Sequence, residues 1–188
     1  MSDTSRVRVY LGCSFDGCIA GPDHDIDWLN EPAPEGSPSL DDSEALGFHD
    51  FMAQIGSMLM GRATYAIPEQ YGVWHYGDIP VLVATNRPLT PMVPTVQAVS
   101  GDIRDLVARA KELAGEKDVY LDGGNLVRQA LEADLVDELC LTFLPVVLGD
   151  GIRLFDGLTR RSDWTFVAHT THGHMVQVVA RRRTETPA

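Results

Sequence analysis

Apolar positions along the chain follow two spacings, one typical of buried strands and the other of amphipathic helices. Residues 14–23 break both spacings with Asp-Gly and Gly-Pro pairs and are predicted to form a loop. Short apolar runs that suit strands occupy residues 7–13, 58–60, 81–85, 96–99 and 119–121. Helical spacing follows several of these runs. The alternation predicts a largely parallel sheet with right-handed crossovers.

The clearest helix lies in the second half of the chain. Asp102 is expected to cap it and Gly115 to end it. Its apolar stripe is formed by Ile103, Leu106, Val107, Ala110, Leu113 and Ala114. A further helix follows residues 119–121 directly and runs to Ala133. Both helices are predicted to pack one face on the sheet.

Two helices are predicted in the first half of the chain. One begins at Asp41 or Ser43 and runs to about Gln54, where Gly56 stops it. The other follows residues 58–60 and ends near Pro68.

The C-terminal third has the pattern of β structure. Residues 139–143 alternate between apolar and polar side chains, which predicts a half-buried strand. Residues 165–171 and 175–182 flank a turn at Gly173 and predict an antiparallel hairpin. Residues 183–188 are predicted to be a disordered tail. The chain is therefore expected to be one α/β domain over residues 1–188, with a mixed, mainly parallel sheet.

Charge and cysteine content narrow the class of protein. The 188 residues carry a net charge of −12, so nucleic acid and anionic membranes are disfavoured partners. No leader or membrane-spanning pattern is present, and a cytoplasmic protein is predicted. Three cysteines without a C-x-x-C pair argue against a disulfide framework or a zinc site, and Cys140 is expected to be a small core residue.

Three histidines near the last turn raise the question of a metal site. Adjacent residues of a strand point to opposite faces, and no carboxylate stands nearby at ligand spacing. No metal site is therefore predicted at His169, His172 and His174.

Polar residues follow three of the predicted strands at the point where each strand ends. Arg62 and Thr64 follow the second, and residues 85–87, Thr-Asn-Arg, follow the third. The adjacent glycines Gly123 and Gly124 end another strand and open a helix, whose free N–H groups suit a phosphate. Together they indicate a multiply phosphorylated ligand, although a tight turn and backbone caps account for each residue taken alone. The Rossmann glycine fingerprint, the P-loop and the G-x-S-x-G elbow are absent.

At this point the chain resembles a known family. Residues 14–20 (SFDGCIA), 60–65 (MGRATY), 119–131 and 144–155 (LPVVLGDGIRLF) are similar, in order, to motifs of the RibD C-terminal domain family, which is dihydrofolate-reductase-like. The resemblance implies a three-layer dihydrofolate-reductase-like fold, with a mainly parallel sheet and an antiparallel C-terminal hairpin. It also implies an NADPH-dependent reductase of the riboflavin-biosynthesis type that forms a homodimer.

The resemblance assigns cofactor roles to the matching positions. It implies that Ile19 and Ala20 lie against the nicotinamide. The remaining cofactor contacts that it implies are Gly61, Arg62 and Thr64 for phosphate oxygens, Thr85, Asn86 and Arg87 for the adenosine ribose and its 2′-phosphate, and Gly123, Gly124, Asn125 and Leu126 for the pyrophosphate. Asp122 is expected to point into the backbone turn, since a carboxylate facing the phosphates would repel them.

The acceptor site and the proton donor are less determined. Asp27, Trp28 and Phe48 are predicted to line the acceptor site, with a core anchor as the alternative for Trp28. The helix position where dihydrofolate reductases place a carboxylate falls on Ala45. Candidate proton donors are therefore Glu44, His49, Asp50 and Asp27, with water as an alternative.

Other functions and a second contact surface stay open. The acceptor is expected to be a planar heterocycle or ribosylamino compound resembling 5-amino-6-(5-phosphoribosylamino)uracil, or a pterin. A non-catalytic NADPH-binding module is the rival function. Residues 144–155 are expected either to pack against a second copy or to cover their own core.

Overall fold

The apolar runs assemble into a sheet with helices on both faces in the computed structural model, which describes residues 5–32, 35–36 and 46–183 and, at position 172, the backbone only. The strands are β1 (Val7–Ser14), β2 (Cys18–Ala20), β3 (Ile55–Gly61), β4 (Val81–Ala84), β5 (Val96–Val99), β6 (Asp118–Asp122), β7 (Glu138–Leu144), β8 (Ile152–Arg153), β9 (Trp164–His172) and β10 (Met175–Arg182). The helices are α1 (Phe48–Ala53), α2 (Arg62–Tyr71), α3 (Ile103–Ala114) and α4 (Gly124–Glu132), with 3₁₀ turns at Pro22–His24 and Asp27–Asn30.

Eight of these strands form the main sheet, in the order β5-β4-β3-β6-β1-β7-β10-β9. Neighbours from β5 through β7 are parallel, and the last two pairings, which involve β10, are antiparallel. Parallel neighbours need crossovers, which place helices over both faces of the sheet. The mainly parallel sheet and the C-terminal hairpin are confirmed.

Two apolar cores fill the space between the three layers. One lies under α3 and α4 and includes Val107, Leu126 and Val127. The other lies under α1 and α2 and includes Phe51 and Tyr65. The expected cap and end of α3 are confirmed, because the Asp102 side chain accepts a hydrogen bond from the Arg104 N–H at 2.9 Å and Gly115 follows the last turn.

The helix expected from Asp41 or Ser43 is shorter than predicted. Residues 41–45 lie outside the described part of the chain, and α1 begins only at Phe48. Leu46 is held outside the helix because its N–H and carbonyl bond the Gln177 side chain at 2.8 and 3.1 Å. Gly56 is not a helix stop: it lies inside β3, where a Cβ would overlap the Ala114 carbonyl. Tertiary contacts have overridden local propensity here.

The predicted end of α2 near Pro68 is also wrong. Pro68 lies inside the helix, which continues to Tyr71 and ends at Gly72, whose φ is 66°. Tyr65 and Pro68 are both buried on the side of α2 that faces the sheet. The packing of this face maintains the helix although the proline lacks an N–H.

Two predictions failed because their partners are distant in sequence. The segment expected to be a loop contains β2, which pairs antiparallel with β8 about 130 residues later. The strand at 139–143 alternates as expected but is not half-buried at its start, because the polar face is also covered. There Glu138 is 1% exposed and binds the guanidinium groups of Arg8 and Arg181 at 2.6 and 2.9 Å.

The chain ends close to the sheet as far as it is described. The Arg183 N–H donates to the Asp163 carbonyl at 2.9 Å. The predicted disordered tail otherwise lies outside the described residues. None of the helices in the described ranges is long and apolar enough to cross a membrane.

Candidate functional site

Two helices present uncapped N-termini side by side at the carboxyl edge of the sheet. Gly61 precedes α2 and Gly123 precedes α4, and neither N-terminus has a side-chain cap, whereas α3 is capped by Asp102. The two termini are neighbours because β3 and β6 pair directly, with Met60 opposite Asp122. Free N–H groups and two helix dipoles therefore converge on one point, which favours a bound anion.

The glycine pair brings the backbone close to neighbouring elements. Gly123 has φ 97°, and a Cβ there would lie 2.6 Å from Thr64 Oγ1 and 3.4 Å from the Gly61 nitrogen. A Cβ on Gly124 would lie 2.7 Å from Ile19 Cδ1. The structure therefore brings together five predicted cofactor residues. A larger side chain at either glycine would fill the space between the two helix starts.

Arg128 belongs to this site and was missed by the sequence reasoning. Its Nη1 lies 3.1 Å from a Cβ position on Gly124 and donates to the Arg153 carbonyl at 2.8 Å. No carboxylate pairs with Arg128 in the ranges that the structure covers. A cation beside a helix N-terminus is unfavourable unless an anion joins it. The sequence signal that could have identified Arg128 is its position one helical turn after Gly124.

Arg128 also lines an open groove that extends away from the glycine turn. This groove has a volume of about 550 Å³ and lies between the start of α3 and α4. Arg104, in the first turn of α3, lines it as well. The groove has mixed charge, because Asp102, Glu132 and Asp156 line it beside the two arginines.

The other predicted cofactor residues take different positions. Arg62 pairs with Glu69 at 2.6 Å, so its charge is neutralised. The Thr85 hydroxyl accepts the Arg87 N–H at 3.0 Å and closes the turn after β4, while the exposed Arg87 guanidinium has no carboxylate partner in the described ranges. Asn86 is exposed beside it.

The residues that follow the glycine pair differ in what they can offer a ligand. The exposed Asn125 accepts a hydrogen bond from Gln129 at 3.3 Å. Leu126 is buried in the core under α3 and α4, so only its backbone can contact a ligand.

A small flap covers this site, formed by residues 14–20 and 146–154 with β2 and β8 at its centre. Asp16 ties its two halves together: it accepts hydrogen bonds from the Ser14 hydroxyl at 2.7 Å and from the N–H groups of Leu148 and Gly149 at 3.1 and 3.0 Å. Arg153 pairs with the same carboxylate at 3.4 Å. The Ser14 hydroxyl and then the backbone N–H groups lower the pKa of Asp16 to about 2.

The flap presents apolar side chains to the glycine turn. Ile19 and Ile152 both point at the Gly124 position, at 2.7 and 3.5 Å from a Cβ there. The buried Ala20 packs its carbonyl against Gly151. The flap therefore lies over the start of α4, where the family resemblance implies the nicotinamide.

Asp122 points into the backbone turn, as expected. Its Oδ1 accepts the Gly123 N–H at 2.7 Å, and its Oδ2 lies 3.2 Å from the Tyr120 hydroxyl. Burial raises the pKa of Asp122 to about 6, although both hydrogen bonds oppose this shift. A carboxyl group that titrates near neutrality is suited to hold and release a proton.

Two tyrosines, Tyr120 and Tyr76, interact with this carboxyl group on the α1 side of the sheet, and further aromatic rings pack against Tyr120. The Tyr120 hydroxyl also contacts the Tyr10 carbonyl at 2.9 Å. Phe48 meets Tyr10 edge-on at 5.8 Å, and Phe51 meets Tyr120 edge-on at 5.0 Å. The Tyr76 phenol interacts electrostatically with Asp122, and burial raises the pKa of Tyr76. The arrangement places one buried acid beside an aromatic cluster, in which Phe48 is 37% exposed.

The predicted proton donors that the structure describes are exposed, whereas Asp122 is buried. His49 and Asp50 are exposed on α1, and Glu44 lies outside the described residues. Asp27 is exposed and accepts the Tyr71 hydroxyl at 3.2 Å, whereas Trp28 is buried and donates to the Asp25 carbonyl at 3.3 Å. Asp122 was overlooked as an acid because an aspartate next to two glycines is typical of a turn.

Cys13, Cys18 and Cys140 are buried and free, which confirms Cys140 as a core residue. Burial raises the pKa of Cys13 and Cys140 to about 12, so these thiols stay protonated. No group of three metal-ligating side chains is found among the described residues.

Comparisons with known sequences agree with this architecture. Residues 6–178 match the model of the RibD C-terminal domain. The uncharacterized protein YwjB of Bacillus subtilis is 32% identical over 174 residues, which cover 92% of this chain and 95% of that protein. YyaP of the same organism is 27% identical over 188 residues and covers 93% of both chains.

Comparisons with solved structures also find proteins that share this fold. A protein of Shewanella sp. PV-4 that is named for riboflavin biosynthesis has 28% identity and a TM-score of 0.78, over 95% of this chain and 99% of its own. A deaminase/5-amino-6-(5-phosphoribosylamino)uracil reductase of Thermotoga maritima shares the fold, with 14% identity and a TM-score of 0.68, over 96% of this chain and 57% of its own. The protein therefore belongs to the RibD C-terminal domain family.

Proposed function

We propose that the protein is an NADPH-dependent reductase that transfers a hydride to a small planar heterocyclic or ribosylamino acceptor. Membership of the RibD C-terminal domain family and the similarity of the fold to RibD reductases support a reductase-like role of the riboflavin-pathway type. The observation that most directly supports cofactor binding is the pair of uncapped helix N-termini, with Arg128 beside them and no acid paired to it in the described ranges.

The chain's own residues fit the phosphates of a dinucleotide. The N–H groups at the start of α4 and the Thr64 hydroxyl would bind the pyrophosphate, and Arg128 would neutralise it. Arg87 would read the 2′-phosphate, because a guanidinium matches a phosphate in charge and geometry. When bound, the cofactor supplies the hydride. Ile19, which lies against the start of α4, would exclude water from the nicotinamide.

Asp122 is the acid that we propose for the acceptor site. It is buried beside an aromatic cluster on the α1 side, and its pKa of about 6 leaves a useful protonated fraction near neutral pH. The Tyr120 hydroxyl has one proton to give, either to the Tyr10 carbonyl or to the carboxylate. A protonated Asp122 satisfies both contacts, since it can donate to Tyr120 while Tyr120 donates to Tyr10. Activity should therefore fall as the pH rises through about 6.

We also propose that the protein forms a cytoplasmic homodimer through the outer side of the flap and the adjoining Phe155. Leu144 and Leu154 are buried in their own core, whereas Phe15, Val147 and Phe155 are 75, 67 and 47% exposed. Exposed apolar side chains on neighbouring loops are typical of contact surfaces. Light scattering compares the molar mass of Val147→Asp with that of the wild type, and we expect the variant to be a monomer. An unchanged mass would contradict the proposed surface.

Cofactor titration tests the central proposal. NADPH should quench the protein fluorescence with micromolar affinity, and NADH should bind more weakly. Arg87→Gln should remove most of that preference, at a cost of about tenfold in NADPH affinity for one lost charge-assisted contact. Arg109→Gln is the matched control, because Arg109 is an arginine of α3 that donates to the Gln97 side chain at the surface. Absence of binding by either nucleotide would refute the proposal, and binding without turnover of any reductase substrate would favour the non-catalytic module.

A further inference from the structure

The C-terminal hairpin of β9 and β10 carries exposed apolar side chains. Phe166 is 77% exposed, the highest value among the large apolar side chains that the structure describes. Val167 and Val176 of the same hairpin are 44 and 41% exposed. A group of exposed apolar side chains on one hairpin favours contact with another molecule.

Phe166 and Val176 lie on the same face of the sheet. Residues that stand opposite each other in neighbouring strands share a face. Phe166 is opposite Ala180, which belongs to the core under α3 and α4. Val176 is opposite Phe143, which packs against that same core. The face that forms the core at the centre of the sheet therefore continues, exposed, across the hairpin.

This face is exposed because the helices stop short of it. The helices α3 and α4 pack mainly over β3 and β6, whereas β10 and β9 are the last two strands of the sheet. No helix follows β7 within the described ranges. The opposite face of the hairpin is covered, since the buried Gln177 bonds the Leu46 backbone there. The hairpin thus has one open apolar face, on the side of α3 and α4.

The charge pattern of the hairpin favours a second copy of the chain as its partner. Residues 164–180 include three histidines but no lysine, arginine, aspartate or glutamate, and they form the longest such run in the sequence. The whole chain has a net charge of −12, so two copies repel each other over most of their surface. Exposed edge strands are usually protected by charged side chains or proline, and β9 contains neither. Two copies can therefore approach at this face without juxtaposed like charges.

The area that a stable dimer needs also points to the hairpin. Such a dimer buries about 800 Å² on each partner, more than half of it apolar. An aromatic side chain presents about 200 Å², so the exposed parts of Phe15, Val147 and Phe155 together supply less than about 400 Å². The exposed side chains of the hairpin raise this apolar area to about 600 Å², which is sufficient.

We infer that a second copy of this chain docks on the open face of the hairpin and that the contact continues onto the flap. The two surfaces adjoin, because Phe143, opposite Val176, leads directly into residues 144–155. In a two-fold dimer the same patch is used on both subunits, so Phe166 of each copy enters the contact. This inference rests on the proposed homodimer and adds a surface to it.

Light scattering of Phe166→Asp tests the inference. The side chain is largely exposed, so the variant should keep the circular dichroism of the wild type and be a monomer at concentrations where the wild type is a dimer. Val73→Asp is the matched control and should stay dimeric, because Val73 is a 45% exposed valine of the loop after α2. Phe166→Thr keeps a residue suited to a strand, and it should raise the dissociation constant of the dimer at least tenfold.

The outcomes separate this inference from the proposed flap contact. A folded Phe166→Asp that stays dimeric, or a Phe166→Thr with the dissociation constant of the wild type, would overturn the inference. A monomeric wild type would overturn both the inference and the proposed homodimer. If only Val147→Asp is monomeric, the hairpin contact is wrong and the flap contact stands. If only Phe166→Asp is monomeric, the hairpin contact is supported and the flap contact is contradicted.

Discussion

Replacement of Asp122 by asparagine separates the structural and chemical roles of this buried acid. The amide has the shape of the carboxyl group, so its oxygen can still accept the Gly123 N–H and its nitrogen can donate to the Tyr120 hydroxyl. Tyr120 can then donate to the Tyr10 carbonyl, as its 2.9 Å contact allows. The variant should fold normally, because no buried polar group loses its partner.

The magnitude follows from the pKa of Asp122, which burial raises from 3.8 to about 6. A shift of about two units corresponds to about 3 kcal/mol between the two protonation states. Because the folded-state pKa is raised, this stabilisation is fully present below pH 3.8 and is lost as the pH rises through about 6. Asparagine stays neutral throughout. The variant should equal the wild type near pH 4 and exceed it by up to about 3 kcal/mol at pH 8.

Chemical denaturation of both proteins between pH 4 and pH 8 measures this difference, since all other titrating groups are shared. Asp78→Asn, at an exposed acid of the loop after α2, is the control for the substitution itself. Reductase activity should fall in Asp122→Asn, and its pH profile should lose the decline near pH 6. Parallel stability curves for Asp122→Asn and the wild type would refute the argument that burial raises this pKa.

Three further substitutions test the site and the packing around it. Gly123→Ala should abolish NADPH binding and cost about 1–3 kcal/mol of stability, because φ is 97° and the new Cβ would meet Thr64. Cofactor titration measures the first effect and chemical denaturation measures the second. Asp16→Asn should loosen the flap, seen as faster hydrogen exchange in both its halves and unchanged exchange in α3. Gly56→Ala should destabilise the protein by about 1–3 kcal/mol in chemical denaturation, because its Cβ would overlap the Ala114 carbonyl, and unchanged stability would contradict that contact.

Local sequence patterns predicted the elements whose own residues contain the full signal. The helix α3 carries its cap, its apolar stripe and its terminal glycine within fourteen residues, 102–115, and it forms as expected. The turn at Gly123 and Gly124 was likewise visible, since strand, glycines and helix are contiguous. Elements whose stability depends on distant partners were misjudged, as with β2, Leu46 and the buried Glu138.

The sequence by itself determined the alternation of strands and helices, the phosphate-suited glycine turn and the absence of lysine, arginine, aspartate and glutamate from residues 164–180. These properties depend on the order of residues along the chain. Only the tertiary structure decided that the starts of α2 and α4 are adjacent, that Arg128 lies there without an acid, and that Asp122 is buried beside an aromatic cluster. Strand pairing brings together residues such as Gly61 and Gly123, which lie about sixty positions apart. Burial, which changes the proton affinity of a carboxyl group, exists only once the layers have packed.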